Sequence, residues 1–282
     1  MKIAWIGTGV MGAPMATHLA DKDYDVKAFN RTHAKAKALE PKVSATTSIQ
    51  DAVSDADIIF TIVGYPKDVK ETFEEIFKHA QKGAIIVDMT TSSPTLAKDL
   101  YHKGNDCGFK VLDAPVTGGD LGAINATLSI MVGGDKDVFD KVYPLFEIMG
   151  KTINYMGEAG NGQHAKLANQ ASIAGNIAGT AESLAYAKLK GLDLTTMLDV
   201  IVGGSASSWQ AANNGPKMIV DDKSPGFYVK HFVKDLNLIL DEKEALKLDI
   251  VENIVKIYET LGDDYDDYGT QVIFDYYLNQ LK

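Results

Sequence analysis

Residues 2–12 read KIAWIGTGVMG, and the reading of that stretch decides the fold. Lys2 leads four residues, Ile-Ala-Trp-Ile, that suit a buried strand. Gly7, Gly9 and Gly12 then form a G-x-G-x-x-G ahead of the helical pattern GAPMATHLADK. In a strand–loop–helix unit the first glycine permits a tight turn, and the second lets a pyrophosphate approach the backbone. The third lets helix and strand pack closely, while the helix N-terminus offers N–H donors to phosphate. The loop Gly7-Thr8-Gly9-Val10-Met11-Gly12 is therefore the expected dinucleotide site.

Outward from this loop, short apolar runs alternate with amphipathic stretches. KIAWIG, DVKAF, ADIIFTIVG, GAIIVDMT, FKVLDAPV and LSIMVGG read as buried strands, separated by helical patterns such as HAKAKALE, PKDVKETFEEIFKHA and PTLAKDLYHKG. Such alternation implies a mostly parallel sheet covered by helices on both faces. After about residue 160 the strands stop. One long helical pattern runs from Gln163 to Leu189, with Gly191 placed to end it. Further helical stretches follow: LTTMLDVIV, FYVKHFVKDLNLILDEKEALKL, ENIVKIYETL and TQVIFDYYLNQL. The expected architecture is a doubly wound α/β domain over residues 1–161 and an all-α domain over 162–282.

The bulk composition narrows the function. Of 282 residues, 45% are hydrophobic and 23% charged, with a net charge of −10. That field repels a phosphate backbone, so nucleic acid is not an expected partner. Cys107 is the one cysteine; no internal disulfide is available and a reducing compartment fits. No apolar run reaches the roughly 18 residues a membrane span needs. No leader pattern precedes the first strand, so the expected location is the cytoplasm. The histidines show no ligand spacing on one helix, and no metal is expected. The acidic GDDYDDYG at 262–269 lacks the Gly and Glu positions of a calcium loop and reads as an exposed turn.

The second strand ends in AFNRTHAK, where an acidic residue binding the adenosine ribose is usual for NAD. Asn30 removes the repulsion a carboxylate would exert on a 2′-phosphate. Arg31 can pair with that phosphate and Thr32 can donate to it. NADP is the expected cofactor, with NAD the alternative.

Residues 157–170, GEAGNGQHAKLANQ, run three glycines and an asparagine into the long helix and place Lys166 about one turn inside it. Together with GTGVMGAPMATHLA, DMTTSSP, DAPVTGGDLGAINATLSIMVGG and GFYVKHFVKDLNL, this block resembles the successive signatures of the β-hydroxyacid dehydrogenases. That family includes 3-hydroxyisobutyrate dehydrogenase, tartronate semialdehyde reductase and the glyoxylate/succinic semialdehyde reductases. The blocks stand in family order from residue 2 to about 240. The resemblance implies a Rossmann-type domain, an all-α domain for substrate and dimerisation, and substrate held in a cleft between them. A homodimer or homotetramer is expected.

The resemblance assigns Lys166 as the catalytic lysine. Hydride transfer to a carbonyl leaves an oxyanion that needs a proton, so an acid must stand beside the oxygen. Near a helix N-terminus the ammonium should be made more acidic. Many members carry an asparagine four residues on; here Gln170 takes that place and Asn169 precedes it. The KLANQ spelling resembles the tartronate semialdehyde reductase branch. By the same resemblance Thr117, Gly118 and Gly119 bind the substrate carboxylate, with Thr117 where serine is frequent. Thr91 and Val63 join the cofactor set, Thr91 alternatively serving as an N-cap or turn hydroxyl before Pro94. Lys234 reaches the cofactor, Asp235 pairs with a lysine on the catalytic side, and Phe227 and Phe232 wall the pocket or pack the core.

The expected reaction interconverts a small carboxylate-bearing aldehyde and its hydroxyacid. A 6-phosphogluconate dehydrogenase would need a much longer helical domain, and an imine reductase usually lacks the lysine. A non-catalytic NADP-binding sensor or scaffold would leave Lys166, the threonine-diglycine and Lys234–Asp235 idle.

Overall fold

Alternate residues of the first strand face opposite ways, and both ways are buried. In the computed structural model, which describes residues 1–281, Ile3 and Trp5 of β1 (Lys2–Ile6) join one apolar layer. Ala4 and Ile6 join the other. A strand buried on both faces belongs inside a sheet sandwiched by helices, which is why its pattern is a run rather than an alternation.

The chain divides into two compact units, Met1–Lys166 and Leu167–Lys282. In the first, β1 is followed by α1 (Gly12–Ala20), β2 (Asp25–Phe29), α2 (His33–Lys37), β3 (Ser44–Ala45), α3 (Ile49–Val53) and β4 (Ile58–Thr61). Then come α4 (Pro66–His79), β5 (Ile85–Asp88), α5 (Pro94–Asp106), β6 (Lys110–Asp113), β7 (Val116–Thr117) and α6 (Gly119–Ile124). The strands β8 (Leu128–Gly134) and β9 (Gly150–Gly157), with α7 (Lys136–Met149) between them, complete the set. The sheet order is β3-β2-β1-β4-β5-β6-β8-β7, with β9 also paired to β8. The six strands from β3 to β6 are parallel, while β8 runs antiparallel to β6 and β7. This is the doubly wound Rossmann-type sheet expected, with α1, α6 and α7 packed in one layer and α3, α4 and α5 in the other.

The second unit is helical. It takes in most of α8 (Asn161–Leu189), then α9 (Leu194–Gly203), α10 (Trp209–Ile219), α11 (Val229–Glu242), α12 (Asp249–Leu261) and α13 (Ile273–Leu278). Its core joins Leu167, Ile177, Ala181 and Leu184 of α8 to Phe232 and Leu236 of α11 and to Ile254 and Tyr258 of α12.

Several elements differ from the sequence reading: α3, α10, β3 and β7 are not read there as elements, and TQVIFDYYLNQL is α-helical only over Ile273–Leu278. The HAKAKALE helix stops at Lys37, and the chain tightens into i→i+3 turns at Leu39 and Glu40 ahead of Pro41. The long FYVKHFVKDLNLILDEKEALKL stretch is helical only to Glu242; Glu244 then takes φ 51° and breaks the register. The strand β9, in GKTINYMG, is not foreseen, since it is mostly exposed, with Gly150 buried and only Ile153 and Gly157 half-buried, and it lacks an apolar run. Among the described residues no helix is long and apolar enough to cross a membrane. None of their His, Cys, Asp and Glu side chains form a group of three able to hold a metal.

Candidate active site

The glycine loop has the shape a dinucleotide needs. Gly7 turns the chain at φ 104°, and a Cβ there would stand 2.1 Å from the Ile62 carbonyl oxygen. A Cβ on Gly12 would stand 2.0 Å from the Gly7 oxygen and 2.9 Å from Trp5 Nε1, so any side chain would push α1 off β1. Trp5 Nε1 donates to the Gly7 oxygen at 2.9 Å and fixes the turn. Around Gly9, by contrast, a Cβ would meet nothing within 4 Å. The backbone is bare where a diphosphate would approach, and α1 begins at Gly12 with no side chain capping it. The Thr8 hydroxyl oxygen is buried in the same loop without a hydrogen-bond partner among the described residues. A bare backbone, an uncapped helix start and an orphaned buried hydroxyl together fit a polar ligand here. Val10 is exposed and Met11 lies at the surface edge of the apolar layer.

Asn30 does more than leave room for a phosphate. Its Oδ1 accepts from the Thr8 N–H at 3.0 Å and its Nδ2 donates to the Thr32 carbonyl at 3.1 Å, so it braces the glycine loop against the end of β2. Thr32 precedes α2 without a side-chain cap. The Arg31 guanidinium is 77% exposed and donates through Nη1 to Asp68 Oδ1 at 2.8 Å.

At the ends of the next strands Val63 N–H donates to Thr90 Oγ1 at 3.0 Å. Thr91 follows Thr90, but the N-cap of α5 is Ser93, whose hydroxyl accepts from Leu96 N–H. That removes the capping alternative for Thr91. Ser92 Oγ, one residue on, is buried with no hydrogen-bond partner among the described residues. Thr117 ends β7, and Gly118 (φ 133°) and Gly119 (φ 67°) carry the chain into α6. Leu128 Cδ2 would lie 3.2 Å from a Cβ at Gly118, so the turn packs directly on β8.

Lys166 is buried, with 6% of its surface exposed, in the second turn of α8. The start of that helix is tied down by side chains that the sequence reading did not single out. Asp113, the last residue of β6, accepts from Gly160 N–H at 2.7 Å through Oδ1 and from Gln163 N–H at 2.9 Å through Oδ2. Gln163 in turn accepts from Ser92 N–H at 2.9 Å and donates to the Thr90 oxygen at 2.7 Å. Asp88 ends β5 in register with Asp113 and accepts from Thr61 Oγ1 at 2.8 Å and Thr90 N–H at 3.0 Å. Burial raises both carboxyls above their ordinary range, Asp88 to about 6, and outweighs the hydrogen bonds that favour their ionised forms. The available signal was an aspartate closing an otherwise apolar strand, in AIIVD and KVLD.

In the helical unit, Asn169 Nδ2 donates to Gln170 Oε1 at 3.1 Å, and Gln170 Nε2 donates to Asp235 Oδ2 at 2.7 Å. Lys234 Nζ lies 3.0 Å from Asp235 Oδ1, with both side chains almost wholly buried. The structure thus links four expected residues into one polar chain. Lys234 is one cation partner of Asp235. Phe232 is core, edge-on to Tyr258, and Phe227 packs at 5.8 Å against Phe232.

Known proteins resemble this chain in sequence and fold. Residues 2–157 match the family model of the NAD-binding domain of 6-phosphogluconate dehydrogenase. Residues 160–267 match the model described as NAD-binding of NADP-dependent 3-hydroxyisobutyrate dehydrogenase. The chain is 44% identical over 252 residues to a probable 3-hydroxyisobutyrate dehydrogenase-like protein of Arabidopsis thaliana, covering 88% of this chain and 75% of that one. It is 39% identical to the 2-hydroxy-3-oxopropionate reductase of Escherichia coli, covering 89% and 87%. Among solved structures, Mycobacterium tuberculosis 3-hydroxyisobutyrate dehydrogenase with L-serine superposes with a TM-score of 0.88 at 29% identity, covering 97% and 98%.

Proposed function

The chain belongs to the NAD(P)-dependent β-hydroxyacid dehydrogenases, and from that premise we propose that it reduces a small carboxylate-bearing aldehyde with NADPH, Lys166 serving as general acid. The observation that carries the reading is the burial of Lys166 on a helix whose first turn is fastened to the ends of two strands. A lysine is seldom buried without a task, since its charge is costly to remove from water.

When bound, the reduced nicotinamide supplies hydride to the carbonyl carbon. The Lys166 ammonium donates a proton to the carbonyl oxygen, and in oxidation its neutral amine takes the hydroxyl proton back. Gly7 to Gly12 hold the pyrophosphate by backbone N–H groups, Asn30, Arg31 and Thr32 take the adenosine end, and Val63, Thr91 and Lys234 complete the cofactor set. Thr117, Gly118 and Gly119 bind the substrate carboxylate; Asn169, Gln170, Phe227 and Asp235 bind the rest of the substrate. NADP is favoured by the neutral Asn30 and the solvent-facing Arg31. The first unit is the cofactor-binding domain and the second the substrate and dimerisation domain.

Loss of NADPH absorbance with tartronate, succinic and methylmalonate semialdehydes and glyoxylate tests the reading. At least one should be turned over, and an uncharged aldehyde of equal size should be poor by comparison. Equal rates with and without the carboxylate would sink the substrate class.

A further inference from the structure

We propose that Asp113 is a positioning residue for Lys166: its buried carboxylate clamps the first turn of α8 to the end of β6 and so fixes where the lysine is presented. The inference rests on Lys166 being the acid–base group.

Both carboxylate oxygens are committed to this turn, one to Gly160 N–H and the other to Gln163 N–H. The surrounding backbone is cut to fit them. A Cβ on Gly133 would stand 2.6 Å from Asp113 Oδ1. One on Gly162 would stand 2.8 Å from Oδ2 and 2.5 Å from the Met131 oxygen. The glycines before the lysine therefore admit a close approach as well as a turn. A second anchor acts on the same turn, because the Gln163 amide bridges Ser92 N–H and the Thr90 oxygen.

Lys166 follows Gln163 by three residues, which is one helical turn on the same side. An α-helix is stiff over that length, so the two anchors set the lysine's place with little slack. A helix start can be capped by Ser or Asn at no cost in buried charge. A wholly buried carboxylate is the expensive choice, and it faces the positive end of the helix, where charge-assisted bonds hold most firmly. Asp88, beside it in register, spends its Oδ1 on Thr61 and the Thr90 N–H rather than on α8.

A double-mutant cycle of Asp113→Asn with Lys166→Ala tests the proposal. Asn keeps the size of Asp but replaces one acceptor oxygen by an NH₂, so one clamping bond is lost. Misplacement by about 1 Å can cost on the order of 100-fold, so kcat in Asp113→Asn should fall about 10- to 100-fold. KM for NADPH should stay within about twofold, because the acid does not bind the cofactor. On the Lys166→Ala background the same change should alter residual kcat by less than about twofold, as coupled residues do. A full further drop in the double mutant, or wild-type kcat in Asp113→Asn, overturns the proposal. Wild-type turnover in Lys166→Ala alone overturns the acid–base assignment instead. Should Asp113→Asn fail to fold, judged by circular dichroism and NADPH binding, Asp113→Ser goes through the same cycle. Its single hydroxyl can accept from only one of the Gly160 and Gln163 N–H groups, and the same two outcomes decide.

Discussion

Asp88 and Asp113 close adjacent strands side by side, and their burial has a consequence for stability against pH. Asp88 titrates near 6 in the folded chain, against an ordinary value of 3.8, chiefly through desolvation, with the Asp113 charge adding to it. A carboxyl whose folded pKa is raised binds its proton more tightly when folded. It favours the fold fully below the unfolded pKa, and that contribution is lost as pH rises from about 4 through about 6. The size is about 3 kcal/mol for a shift of roughly two units. Urea melts of wild type and Asp88→Asn should therefore diverge with pH, the variant gaining on wild type between pH about 4.5 and 7.5. A difference that does not change over that window would show that Asp88 stays ionised. Arg31 gives a second prediction at this scale. Its exposed pairing with Asp68 contributes little and leaves guanidinium donors available for a phosphate. Arg31→Ala should erode the preference for NADPH over NADH by about 10-fold or more, mainly through KM. Asn30→Asp is the poorer probe, because it would turn a carboxylate oxygen on the Thr32 carbonyl that Asn30 now bonds. If the ratio of the two cofactors' kcat/KM is the same in Arg31→Ala as in wild type, Arg31 has no part in the choice.

Within the elements, the glycine loop separates stability from binding. Gly12→Ala puts a methyl 2.0 Å from the Gly7 oxygen, and such overpacking should cost about 1–3 kcal/mol. Gly9→Ala meets nothing in the fold, so its melting temperature should stay near wild type while NADPH affinity falls. A Gly9→Ala protein that binds NADPH as wild type does would place the diphosphate elsewhere. This loop was legible because each glycine answers a separate steric demand within one strand–turn–helix unit. The long helix from Asn161 was legible too, up to the Gly191 that follows it at φ 70°. What escaped the reading depended on partners distant in the chain. Asp113 meets Gly160 and Gln163 some fifty residues away, and nothing local in KVLD shows which backbone N–H groups it will find. The same holds for Asn30, whose bracing of Thr8 exists only once β1 and β2 lie side by side. Helix ends failed for a local reason: apolar periodicity ran past Glu242, whereas the backbone turned at Glu244.

At the scale of the whole molecule, the doubly wound unit and the helical unit each carry a polar constellation. One gathers Thr90, Ser92, Asp113 and Gln163 around the start of α8. The other runs from Asn169 through Gln170 and Asp235 to Lys234. The helix that begins in the first and continues into the second bears Lys166, on which the proposed chemistry depends. The decisive measurement is turnover of the best semialdehyde by Lys166→Ala, alongside NADPH affinity from a fluorescence titration. The account predicts kcat lower by about 10²–10⁴-fold with NADPH affinity unchanged, the cost of losing a general acid. A variant that binds NADPH normally and keeps most of its turnover would contradict it.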